Sequence, residues 1–210
     1  MPDSRGRAGW GDGSAKGRFA FRCRAGVGSP APRSQPLLGH FSKEEIFMAK
    51  NVKPVPEGYH TVTPYLVVRD AKRALEFYKR AFGAETKLSM PNPDGRVMHA
   101  EIRIGDSMVF VSDEFPEMTP QIKAPESIGG VATGSIFMYV PDVDAAVKRA
   151  VGAGAKVTMP VADMFWGDRF GKVADPFGHH WGIATHKEDL TPQEMEKRGA
   201  EWQKKMAQQK

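Results

Sequence analysis

The sequence predicts an α+β domain made of two consecutive strand–helix–strand–strand–strand (βαβββ) modules. Two observations predict it. The run Y-L-V-V-R-D over 65–70, a helical stretch and G-A-E at 83–85 recur as F-M-Y-V-P-D over 137–142, a helical stretch and G-A-K at 154–156. Each copy is then followed by two further β-rich runs. Neither copy could cover the apolar face of its own sheet, so the two should pack together.

In the first copy, Thr61 to Val68 is β-rich, and Pro64, which cannot donate to a ladder, places an edge or a bulge there. Asp70 is an N-cap for a helix whose apolar residues Ala71, Ala74, Leu75, Tyr78 and Phe82 keep helical spacing. Gly83 ends the helix. Strands follow at Ala84–Met90, Val97–Ile104 and Ser107–Ser112, with Pro93-Asp94-Gly95 and Gly105-Asp106 turning between them. A Pro- and Gly-rich loop from Asp113 to Gly134 separates the copies, and a loop of that length is usually functional or a linker. The second copy reads as strand Ser135–Val140, cap Asp142, helix Val143–Val151, stop Gly154 and strand Lys156–Pro160. Strands near Arg169–Ala174 and His180–Thr185 close it around the turn Asp175-Pro176-Phe177-Gly178. A polar helix from Thr191 to Ala207, capped by Thr191 with Pro192 in its first turn, ends the chain.

The net charge of +5 belongs mostly to residues 1–47, which hold eight Lys or Arg against four acids. From residue 48 onward 22 basic residues meet 21 acidic ones, so no nucleic-acid partner is expected. No apolar run reaches membrane-spanning length, and no membrane partner is expected. Cys23 stands alone, which rules out an intrachain disulfide and makes a reducing, cytoplasmic location the default. Residues 1–47 lack any periodicity. They read as a disordered basic leader, as an organelle transit peptide, or as translation from a start placed upstream of the true one at Met48. The last is preferred, because Lys43-Glu44-Glu45 can be encoded by a bacterial ribosome-binding sequence. Residues 48–59 form an arm, 60–187 the domain (modules at about 60–114 and 135–187, loop 115–134) and 188–210 the C-terminal helix.

T-P-Y-L-V-V-R-D-A-K-R-A-L-E-F-Y-K-R-A-F-G-A-E from residue 63, H-A-E-I-R-I-G-D-S from residue 99 and D-P-F-G-H-H-W from residue 175 resemble the vicinal-oxygen-chelate superfamily. That superfamily holds glyoxalase, dioxygenase, bleomycin- and fosfomycin-resistance proteins, and these segments are most similar to its PhnB-like branch. The resemblance implies a cup-shaped mixed sheet and a homodimer whose cups form between modules. It also implies metal-ligand positions at Thr63, Phe110, Ser135 and Gly182. None of these is His, Glu or Gln, and Phe and Gly have no side-chain donor, so no metal or other cofactor is expected at the usual site.

Strand alternation places Val62, Leu66 and Val68 toward the helices and Thr63 and Tyr65 in the cup. It sets Met98, Ala100, Ile102 and Ile104 on the helix side and His99, Glu101 and Arg103 opposite them. Met108, Phe110 and Ser112, Phe137 and Tyr139, and His180 with Gly182 also fall on the cup side. Met164, Phe165, Trp166 and Arg169 read as an irregular stretch at the rim. The candidate ligand-binding residues are Thr63, Tyr65, Phe110, Phe137, Tyr139, Trp166 and Arg169. His99, Glu101 and His180 are the candidate catalytic residues. Each also has a plainer reading, the rings as core filling and the histidines as hydrogen-bonded cup residues. Two functions follow. One is binding of a small, aromatic or apolar molecule, as in drug-sequestering proteins. The alternative is a lyase-, isomerase- or dioxygenase-like enzyme using His99, His180 and Glu101 or a divalent metal at a non-standard site.

Overall fold

The computed structural model describes residues 52–208. The expectations for residues 1–47 lie outside these. The elements run β1 (Tyr65–Val68), α1 (Ala71–Phe82), β2 (Glu85–Pro91), β3 (Val97–Ile104), β4 (Ser107–Asp113), then β5 (Ser135–Tyr139), α2 (Val143–Ala153), β6 (Lys156–Asp163), β7 (Asp168–Ala174), β8 (His180–His186) and α3 (Pro192–Ala207). The repeat is therefore a repeat of architecture. The first sheet has order β1-β4-β3-β2 and the second β5-β8-β7-β6. In each, only the pair involving the first strand is parallel.

The local signals act as read. The Asp70 carboxylate accepts from the Arg73 amide at 3.0 Å, and Asp142 accepts from the Ala145 amide at 2.9 Å. Gly83 (φ 68°) ends α1 in the left-handed region that a side chain avoids. Thr191 and Glu194 form a reciprocal capping box on α3.

The strand expected from Thr61 starts only at Tyr65. Pro64 brings no N–H to the ladder, and only its carbonyl takes part, accepting from the Phe110 amide at 2.9 Å. Val62, expected against the helices, is 81% exposed. Met98 is likewise exposed although Ala100 and Ile102 on the same face are buried.

Helices α1 and α2 each pack on the sheet of their own module and touch each other. One core results, drawing on Leu66, Val68 and Ile102 from the first sheet and Val173, Trp181 and Ile183 from the second. Its centre is aromatic: Tyr78 and Phe82 of α1 lie 5.6 and 4.5 Å from the Trp181 ring of β8. Asp175 fixes the join. Its buried carboxylate accepts from the Tyr78 hydroxyl (2.9 Å), the Trp181 indole N–H (3.0 Å) and the amides of Phe177 and His179 (both 2.9 Å). Burial first, and the Asp175 charge second, push the Tyr78 phenol well above its ordinary value, so it stays a donor.

The loop between the modules is folded. It contains a 3₁₀ turn at Pro125–Ile128, buries Phe115 and Ala124, and has the Arg96 guanidinium 4.1 Å from the Phe115 ring centroid.

Candidate functional site

Because the core lies between the sheets, the opposite face of each sheet turns away from it. Each such face carries its own cluster, and the rings expected to share one cup are divided between two.

On the first sheet the register sets Tyr65 opposite Phe110, and Phe110 opposite Glu101. His99 lies 4.8 Å from the Phe110 ring and 5.9 Å from that of Tyr65. His99 Nε2 is 3.2 Å from Glu101 Oε1, and the Tyr59 hydroxyl donates to Glu101 Oε2. The Tyr59 hydrogen bond, with a smaller contribution from His99, holds the Glu101 carboxyl below its usual range despite partial burial. The same bond raises the Tyr59 phenol. The result is an anionic carboxylate among aromatic edges, with an imidazole beside it. Tyr59 was not among the expected residues; it precedes any strand, and no periodicity points to it.

On the second sheet Phe137 is opposite Gly182, and Gly182 opposite Lys172. Phe137 stacks on Phe170 (5.4 Å, 11° between planes) and touches Tyr139 at 5.1 Å. Trp166 lies 5.7 Å from Phe170. Buried Asp168 organises the rim. It accepts from the Tyr139 hydroxyl (3.1 Å) and the Trp166 indole (3.0 Å), and His186 Nδ1 is 2.8 Å away. That contact first, and the one with Asp189 second, raise the His186 pKa. Asp168 and His186 were also missed. Asp168 begins a strand whose letters suggest a start at Arg169, and His186 ends one whose letters suggest a stop at Thr185.

The remaining expected residues fall as follows. Thr63 lines a cleft of about 1010 Å³ between the modules, together with Phe137 and Tyr139. Arg169 belongs to β7 rather than to an irregular rim. Its guanidinium is engaged bidentately by Asp144 (2.7 and 2.9 Å) and by Asp163 (3.1 Å), which leaves it poorly placed to hold a ligand. His180 stands on the second sheet, apart from the His99–Glu101 pair on the first. Its neighbour His179 points the other way, its Nε2 3.1 Å from the Val67 carbonyl of β1.

The positions at which the resemblance implies metal ligands do not suit a metal. A Cβ on Gly182 would lie 3.0 Å from both Phe137 Cδ2 and Phe170 Cε2, so these rings fill the space a ligand side chain needs. Among the described residues no three His, Cys, Asp or Glu side chains converge as a metal site would require.

The sequence profile of the glyoxalase/bleomycin resistance protein/dioxygenase superfamily matches residues 59–183. The chain belongs to this superfamily. An uncharacterized protein of Mycobacterium tuberculosis H37Rv is 41% identical over 165 residues, covering 78% of this chain and 93% of its own. An uncharacterized Arabidopsis thaliana protein is 34% identical over 133 residues, covering 59% and 76%. Among solved structures, protein PA1353 of Pseudomonas aeruginosa superposes with a TM-score of 0.50 at 24% identity, covering 61% of this chain and 99% of that one. This last likeness concerns the fold. No helix among the described residues is long and apolar enough to cross a membrane.

Proposed function

We propose that this superfamily member binds a small organic molecule with an aromatic or apolar body against its outward sheet faces. Two copies would associate so that each face is closed by a module of the other. The observation that carries this reading is the exposure of large rings on those faces: Tyr65 is 53%, Phe137 49% and Tyr139 63% exposed. Grouped rings left to water mark an interaction surface, and a ligand or a second copy removes that cost. The Glu101–His99 pair on one face and the Asp168 network on the other supply the few polar groups that orient a bound molecule.

A tryptophan fluorescence screen against aromatic and quinone-like compounds should find ligands, because Trp166 stands on one of these faces. Trp166→Ala or Phe110→Ala should then weaken binding by about 1–3 kcal/mol. Sedimentation velocity should give a dimer. A monomer that binds none of the compounds would sink the reading.

The Tyr59–Glu101–His99 chain favours one second reading, acid–base catalysis on a small substrate. His99→Ala separates the two. An enzyme loses turnover while retaining affinity, whereas a sequestering protein has no turnover to lose.

A further inference from the structure

The two faces carry opposite charges at matching positions. Glu101 is one strand from Phe110, which is one strand from Tyr65; Lys172 is one strand from Gly182, which is one strand from Phe137. The first module thus presents a carboxylate where the second presents an ammonium.

Around Lys172 the surface is concave. Two cavities of about 290 Å³ each adjoin there, sharing a wall formed by residues 132–135 and His180. One contains Lys172 and Gly182, and the other Lys123. Thr133 and Ser135, which carry hydroxyls, belong to the shared wall. Among the described residues, no Asp or Glu lines either cavity. The nearest buried carboxylate on the same strand, Asp168, already accepts from Tyr139 and Trp166 and meets His186. The Glu114 carboxyl is held below its usual range by the Ser127 hydrogen bond first, then the Ala124 amide, with a smaller contribution from the charge of Lys123. Lys172 instead lies near the Phe170 ring, 5.9 Å from its centroid.

We infer that these adjoining cavities form an anion subsite for an aromatic carboxylate. The carboxylate would meet Lys172, His180 and the hydroxyls of Thr133 and Ser135. Its ring would extend from Gly182, which lines one cavity, toward the Phe137 ring that lies against Gly182 and stacks with Phe170. An ammonium, an imidazole and two hydroxyl residues lining adjoining cavities, with no carboxylate among the described lining residues, favour an anionic oxygen over a neutral or cationic group. This rests on the ligand-binding reading above and names the ligand class.

The test compares three probes of one shape, naphthoate, naphthylmethanol and naphthylmethylammonium, by titration calorimetry at fixed ionic strength on the full chain. Naphthoate should bind about tenfold more tightly than the alcohol, and the ammonium most weakly. Lys172→Gln should remove that preference and leave the alcohol's affinity unchanged. Lys172 is exposed, and circular dichroism checks that the variant folds. An acid no tighter than the alcohol, or a variant that weakens both alike, overturns the anion subsite alone. If none of the probes binds, the subsite and the ligand-binding reading fall together.

Discussion

Asp175 shows how one residue of a turn can hold two modules together. Its carboxylate joins the turn's own amides to a tyrosine of the first module and a tryptophan of the second. Asp175→Ala strands three buried donors and the partly buried His179 amide; each buried donor left unsatisfied costs about 1–3 kcal/mol, so a loss of about 3 kcal/mol or more in urea unfolding is expected. Asp175→Asn keeps an acceptor and should cost less; equal stability of Ala and wild type would contradict the assignment. His186 gives a pH signature. Its folded pKa is raised above 6.5 by Asp168 and then Asp189. The stability it contributes is complete below the unfolded value and is lost as pH rises through the folded one. The melting temperature should therefore fall across neutral pH more steeply in wild type than in His186→Gln. Parallel curves would show that the His186 contacts do not matter.

At the scale of elements, the inter-module loop is held by contact rather than left as a tether. A Cβ on Gly178 would stand 2.7 Å from the Pro125 Cβ, and its φ of 87° already disfavours a side chain. Gly178→Ala should destabilise by about 2–3 kcal/mol, combining overpacking with left-handed strain. Hydrogen exchange should show faster opening at 124–130, where the 3₁₀ turn presses on the D-P-F-G turn. Unchanged protection there would mean that the turn does not depend on this contact. The periodic elements were legible because hydrophobic spacing and caps act locally: α1, α2, β3 and β4 lie within a few residues of where their letters place them. The first strand was read too long because Thr61–Thr63 have β-forming side chains, while the ladder that would use them begins only at Pro64.

At the scale of the whole molecule, the two modules share one core. Phe82 against Trp181 and Tyr78 against Asp175 are contacts between modules. A chain carrying only residues 60–114 or only 135–187 exposes those faces and should remain unfolded by circular dichroism. The complete chain should unfold in one calorimetric transition. Two separated transitions would show that the modules fold independently.

By itself the sequence determined the βαβββ repeat, the alternation that buries Leu66, Val68, Ala100 and Ile102, and the lack of a side-chain donor at Phe110 and Gly182. These depend on periodicity, capping and side-chain donors, all carried by near neighbours in the chain. Only the tertiary structure decided that the expected aromatic lining is split between two outward faces, because the helices of both modules pack on one another between the sheets. It alone showed that Arg169 is taken up by Asp144 and Asp163, and it brought forward Tyr59, Asp168 and His186. Those roles depend on partners distant in the chain or just beyond an element's apparent end. Alternation can say which face a residue occupies, but only the fold says what stands opposite.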